Sequence, residues 1–223
     1  MTAVSDSDDS CLFAREFEVE SLDTTLKFYQ KEIGDVSCVI WDASLVLARY
    51  LEKRAEANPT FLKNLKIVEL GAGVGCVGIL AACFGADVTM TDLPSVLPLL
   101  ERNICINKDV WCKSGGRVEA CELSWGDAKT EIKPPSLLLL ADCVYYSESI
   151  LPLVQTMKEV SNTDTEIIIC QEERDSDKQR KIWKEFTAEL SKYFRFIAVP
   201  LEEQHPLFRS PDILLLRGSR LIN

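Results

Sequence analysis

The segment Glu69-Leu70-Gly71-Ala72-Gly73-Val74-Gly75-Cys76-Val77-Gly78 constrains this chain more than any other. It continues a short apolar run that starts at Ile67 and leads into a helical pattern over 77–84 that stops at Gly85. Glycines that leave a strand and open a helix let bare backbone approach a ligand, because no Cβ stands between them. Two registers fit. From Gly71 the spacing is G-x-G-x-G; from Gly73 it is G-x-G-x-x-G, the dinucleotide fingerprint. The second register puts its first glycine several residues past the strand, late for the tight turn. In the first, Cys76 stands where a dinucleotide fold has its third glycine. A nicotinamide-dependent oxidoreductase stays open on the second register.

Around this loop, short apolar runs alternate with helical periodicity. Strand patterns fall at 67–70, 87–90, 117–123, 137–141, 166–170, 194–199 and 213–216, helical ones at 77–84, 95–107, 150–160 and 178–193. Repeated βα units predict an α/β fold: a Rossmann-like seven-stranded, mostly parallel sheet with helices on both faces. Leu137-Leu138-Leu139-Leu140-Ala141 is apolar throughout, as a strand covered on both faces should be. Residues 12–19 and 25–30 alternate apolar with polar and predict a β-hairpin within an N-terminal extension, 11–37. Asp42 is expected to cap a helix that Asn58-Pro59 breaks. Residues 1–10, acidic and serine-rich, read as a disordered tail. With no repeat or linker in a chain of 223 residues, 11–223 reads as a single domain.

Charge and composition exclude several classes. Asp and Glu number 35 against 25 Lys and Arg, a net charge of −10 and the wrong sign for gripping nucleic-acid phosphates. The single histidine, His205, lies in the polar stretch 202–206, and one histidine cannot build a two- or three-histidine metal site. A Ser-His-Asp hydrolase would depend on it alone. None of the nine cysteines are spaced C-x-x-C, so reduced, buried thiols fit better than a zinc site or redox pair. No metal is expected. The N-terminus is the reverse of a signal peptide, and no apolar run reaches the ~18–20 residues of a membrane span. The expectation is a soluble, cytoplasmic protein with neither nucleic acid nor membrane as partner.

Two carboxylates bear on the ligand. Glu69, near the end of its strand, would sit badly beside a pyrophosphate and better beside a cationic or amine-bearing ligand. Asp92, ending the strand Val88-Thr89-Met90-Thr91, can accept both hydroxyls of a ribose. Together they select S-adenosylmethionine, which carries a ribose, a sulfonium and an amino group but no phosphate. Trp125, after the third parallel strand, either lies against the adenine or is a core tryptophan. After the fourth strand comes Ala141-Asp142-Cys143-Val144-Tyr145-Tyr146. A carboxylate and two phenols there either line a cleft, with Asp142 and Tyr145 facing one opening, or cap and pack locally.

These motifs, E-L-G-A-G-V-G, T-D-L, L-S-W-G and A-D-C-V-Y-Y, resemble in order and spacing the seven-β-strand, S-adenosylmethionine-dependent protein lysine methyltransferases, in the branch that modifies chaperones and related ATPases. The resemblance runs from about Cys38 to Leu216. It implies that Trp41, Gly71, Ala72, Gly73, Asp92, Trp125 and Ala141 contact the cofactor, with Tyr146 beside it and Asp142 and Tyr145 serving the lysine. It implies a protein substrate, a valosin-containing protein-like AAA ATPase or another chaperone, and a monomeric enzyme. One departure is Gln171, in Cys170-Gln171-Glu172-Glu173-Arg174, where relatives tend to place an aromatic residue. An adaptor that binds the cofactor without catalysis, or a small-molecule methyltransferase, would share the fold.

The expected chemistry is a direct displacement, in which alignment of nitrogen, methyl and sulfur is worth ~7 to 11 kcal/mol. The lysine, with an ordinary pKa of ~10.4, must first lose a proton. Desolvation and the sulfonium favour that loss; Asp142 opposes it. Asp142 is therefore assigned to docking and orienting the lysine, and Tyr145 to the channel wall, where its ring tolerates methylated cations. Proton loss to water competes with any named base.

Overall fold

The computed structural model describes residues 11–32, 34, 36–127 and 132–222; the tail expected over 1–10 lies outside them. The alternation near the N-terminus becomes a hairpin. Strands β1 (Leu12–Val19) and β2 (Thr24–Lys31) pair antiparallel from Leu12 opposite Lys31 to Val19 opposite Thr24. Phe17, Val19, Leu26 and Phe28 face inward and are buried. Helix α1 (Asp42–Ala57) follows, and here the expectation needs correcting. Trp41, in extended backbone, is the N-cap; its carbonyl accepts from the Ser44 and Leu45 N–H groups. Asp42 is the first helical residue, where its charge still suits the positive end of the helix.

The large sheet has the order β5-β4-β3-β6-β7-β9-β8. Its strands are β3 (Lys66–Leu70), β4 (Asp87–Asp92), β5 (Arg117–Glu122), β6 (Leu137–Ala141), β7 (Glu166–Glu172), β8 (Phe194–Ala198) and β9 (Ile213–Arg220). All adjacent pairs from β5 to β7 are parallel, and β9 runs antiparallel between β7 and β8. After β3 the chain moves outward to β4 and β5, then returns to β6 on the other side of β3. That reversal opens a crevice beyond the carboxyl ends of β3 and β6.

Period-two alternation decides what each face covers. Ile67, Leu137, Leu139 and Ile168 join α1 and helix α2 (Cys76–Cys83) in one core, with Leu51, Val77 and Leu80. Val68, Leu138, Leu140, Ile167 and Ile169 face the other way, onto α5 (Ile150–Val160) and α6 (Asp177–Leu190) through Leu153, Met157 and Phe186. Two further helices, α3 (Leu97–Ile106) and the single turn α4 (Lys108–Trp111), lie on the first side. Helix α3 fastens the hairpin. Asn103 accepts from the Tyr29 N–H and donates to the Tyr29 carbonyl, and Asn107 does the same with Lys27.

Strand ends differ from the expectation where polar residues continue the pairing: β7 reaches Glu172 and β9 reaches Arg220. The backbone ladder carries those ends, with Gln171 buried in addition. The thiols also depart from expectation. All nine are free, but Cys11, Cys105 and Cys112 are exposed, and only Cys76, Cys83, Cys143 and Cys170 are buried.

Candidate active site

Beyond β3, the backbone turns through Gly71, Gly73 and Gly75 at φ of +65°, +55° and +85°. The left-handed demand thus falls on the G-x-G-x-G register. At Gly73 space is short as well: a Cβ would meet the Ser37 carbonyl oxygen at 3.0 Å. The Gly73 N–H donates to Asp92 Oδ2 at 2.7 Å, which ties the loop to the end of β4. Gly78 serves another purpose. It sits inside α2 on the face of Glu69, whose Oε2 accepts from the Gly78 N–H at 2.9 Å. Gly78 is thus a packing glycine between helix and strand, while the three turn glycines are those of the G-x-G-x-G register.

A cavity of about 350 Å³ lies against this loop, within the range of small-molecule sites. Its lining brings together Trp41, Gly71, Ala72, Gly73, Asp92, Trp125, Ala141, Asp142, Tyr145 and Tyr146. Glu69, singled out as a ligand residue, is not part of that lining. It is 2 % exposed beneath α2, and burial pushes its carboxyl up to about 8. Strand alternation explains this: Glu69 follows Ile67 by two and shares its face, toward α2 rather than the cavity.

Beside the loop, after β6, the cavity wall is built on a left-handed turn. Asp142 has φ +54°, its N–H donates to the Cys170 carbonyl, and its side chain is almost wholly buried. Oδ1 accepts from Gln171 Nε2 at 2.7 Å, and Oδ2 accepts from Arg174 Nη2 at 2.7 Å. Burial raises the Asp142 carboxyl above its ordinary range, while the Arg174 guanidinium and the Glu172 N–H pull it back. The Arg174 guanidinium also lies over the Trp41 ring, 5.1 Å from its centroid. The Tyr145 and Tyr146 rings meet edge to face at 4.6 Å, and Tyr146 is 46 % exposed at the mouth. Sequence reading missed the roles of Gln171 and Arg174. Neither follows a local pattern; β7 brings them to Asp142 only because β6 and β7 are sheet neighbours.

Burial disfavours the thiolate form of both thiols near the loop. Burial, with Glu69 nearby, pushes the Cys76 thiol up to about 12, and burial with Asp92 and Asp142 nearby raises Cys143 well above the ordinary thiol. Among the described residues, no cluster of three His, Cys, Asp or Glu side chains could hold a metal ion, and no helix is long and apolar enough to cross a membrane.

Sheet order, glycine loop and cavity together define the class I, Rossmann-like methyltransferase architecture, and solved structures share it. The T. thermophilus 16S rRNA N2 G1207 methyltransferase RsmC, solved with AdoMet and guanosine, aligns at TM-score 0.63 and 15% identity over 95% of this chain and 51% of its own. A putative RNA methyltransferase from Pyrococcus horikoshii aligns at 0.55 and 14% identity, covering 92% and 96%. Such identities establish the fold alone.

Sequence comparison carries the assignment to a family. The lysine methyltransferase family matches residues 20–192, and the chain belongs to that family. Protein N-lysine methyltransferase METTL21A of Xenopus tropicalis is 38% identical over 141 residues, 62% of this chain and 61% of its own length. METTL21A of Mus musculus is 36% identical over 162 residues, 70% and 71% of the two chains. EEF1A lysine methyltransferase 3 of Mus musculus is 41% identical over 124 residues, 55% and 50%. The matched region thus spans about three-fifths of the first of these relatives.

Proposed function

We propose that this protein is an S-adenosylmethionine-dependent protein-lysine N-methyltransferase, acting on a valosin-containing protein-like AAA ATPase or another chaperone. The supporting observation is one cavity lined both by the glycine loop with Asp92 and by Asp142 with Tyr145. The lining suits the cofactor. Bare backbone at Gly71 and Gly73 would admit its amino-acid portion, the Asp92 carboxylate would accept from its ribose, and Trp125 with Leu93 and Pro152 would offer an apolar slot for adenine. Trp41, Ala72, Ala141 and Tyr146 would complete the wall around it, and Glu69 lies beneath α2, bonded to Gly78. The cofactor, when bound, supplies a methyl group activated by positive sulfur.

The chain's own residues do the rest. Tyr145 and Tyr146 form an aromatic gate that strips water from an entering side chain, and desolvation lowers the affinity of its amine for a proton. Asp142, held by Gln171 and Arg174, orients the amine without moving. Alignment of amine, methyl and sulfur as a whole is worth ~7 to 11 kcal/mol of barrier, and this placement is one part of it. The names of the relatives favour protein lysine over a small molecule as acceptor. The net charge of −10 suits a basic face on the partner.

The test is incubation with tritiated S-adenosylmethionine, using purified valosin-containing protein and a cell lysate as acceptors, followed by mass spectrometry of labelled bands. Label on a lysine of valosin-containing protein is the expected result. Label on another protein redirects the substrate, and label on none removes the activity.

A further inference from the structure

A bare carboxylate beside the target lysine would hold it as ammonium, the form that cannot attack. The structure does not present a bare carboxylate. Asp142 Oδ2 is already bonded to Arg174 Nη2 at 2.7 Å, and Arg174 Nε lies 3.6 Å from Glu172 Oε2. Gln171 secures the pair from the other side. Its Nε2 reaches Asp142 Oδ1 at 2.7 Å, while its Oε1 accepts from the Val144 N–H at 3.0 Å, so the amide spans the turn that carries Asp142. Gln171 is 4 % exposed and adds no charge.

We propose that Arg174 is a positioning residue that stays paired with Asp142 through turnover. The incoming lysine then meets an oriented acceptor whose charge the guanidinium largely offsets. This rests on the methyltransferase reading above. The pair gives the amine a hydrogen-bond acceptor and direction without the field that would keep it protonated. Other titratable groups around the cavity are Glu172 and Cys170 of β7, Cys143, Tyr145, Tyr146 and Glu148 after β6, Asp92 of β4 and Glu69 of β3. The thiols and Glu69 are raised by burial, which leaves the pair itself, Asp92, the half-buried Glu172 and the exposed Glu148 as the local charges.

The test is kcat and KM against pH for wild type, Arg174→Met and Arg174→Lys, with purified valosin-containing protein and poly-L-lysine as acceptors. In Arg174→Met the unpaired carboxylate grips the ammonium. KM falls, the rising limb moves alkaline by about one pH unit, and kcat at neutral pH drops about tenfold, recovering at higher pH. Arg174→Lys restores the wild-type limb. A loss of kcat equal at every pH, with no shift of the limb, overturns the inference and leaves the methyltransferase reading intact. Absence of transfer by the wild type to either acceptor, with no labelled lysate protein, overturns both. A second measurement uses NMR of the Arg174 guanidinium in protein saturated with S-adenosylhomocysteine. Its Nη hydrogens stay protected when n-butylamine is added if the pair persists, and losing that protection overturns the inference.

Discussion

Glu69 Oε2 accepts a hydrogen bond from the Gly78 N–H at 2.9 Å in a space that exists only because residue 78 has no side chain. A Cβ there would come within 2.6 Å of the same oxygen and 2.4 Å of Met90 Sδ. Strand β3 and helix α2 thus meet at a buried carboxyl, which burial, with a smaller push from the Asp92 charge, keeps protonated up to about pH 8 against the opposing pull of the Gly78 N–H.

That group gives stability a pH dependence of known sign. Its folded value, about 8, lies above its ordinary 4.5, so its favourable contribution is complete below 4.5 and is lost as pH rises toward 8. Glu69→Gln keeps the shape and the acceptor for Gly78 but does not titrate. Urea denaturation across this window should show wild type weakening toward the alkaline end and the variant holding level. A variant that weakens in parallel with wild type would show that Glu69 does not titrate here.

Asp92 joins the cavity to the loop through Gly73. Asp92→Ala should weaken S-adenosylhomocysteine binding at least about tenfold, a loss of about 1.4 kcal/mol or more. Calorimetry reads this directly, and unchanged affinity would take Asp92 out of the ribose assignment.

Asp142 and Tyr145 follow β6, apart from the Asp92–Gly73 link, so their loss should separate binding from transfer. Asp142→Ala and Tyr145→Ala should leave S-adenosylhomocysteine affinity near wild type and cut methyl transfer at least about tenfold, mostly in kcat. Asp142→Ala also leaves Arg174 and Gln171 without their acceptor, so its melting point should fall. Full turnover in both variants would place the lysine elsewhere.

The parts legible in the sequence were those with a local signature. Four leucines and an alanine announced β6, and glycines after an apolar run announced the loop. What escaped depends on neighbours far along the chain. The strand pattern located Glu69, but only its shared face with Ile67 tells that it points under α2. Gln171 looked like a missing aromatic at the substrate side; the structure makes it the support of Asp142, 29 positions away. Asn103 and Asn107 gave no signal beyond a four-residue spacing on one helix face, yet they fix the hairpin.

Asn103 carries the last of these consequences. It is fully buried and serves three backbone groups: the Tyr29 N–H at 2.8 Å, the Tyr29 carbonyl at 3.0 Å and the Val74 carbonyl at 3.0 Å. Val74 stands between Gly73 and Gly75, so this one amide links the N-terminal hairpin to the glycine loop. Asn103→Ala strands those groups, at about 1–3 kcal/mol for each one left buried without a partner. The urea midpoint should fall clearly, as it would for any such core loss. The link to the loop adds a second effect: affinity for S-adenosylhomocysteine should fall as well, measured where the variant is still fully folded. Asn107→Ala is the control, because Asn107 bonds Lys27 and the Asn103 carbonyl but not the loop. It should lose stability and keep its affinity. Equal losses of affinity in the two variants would mean that the hairpin, and not the Val74 carbonyl, sets the shape of the loop.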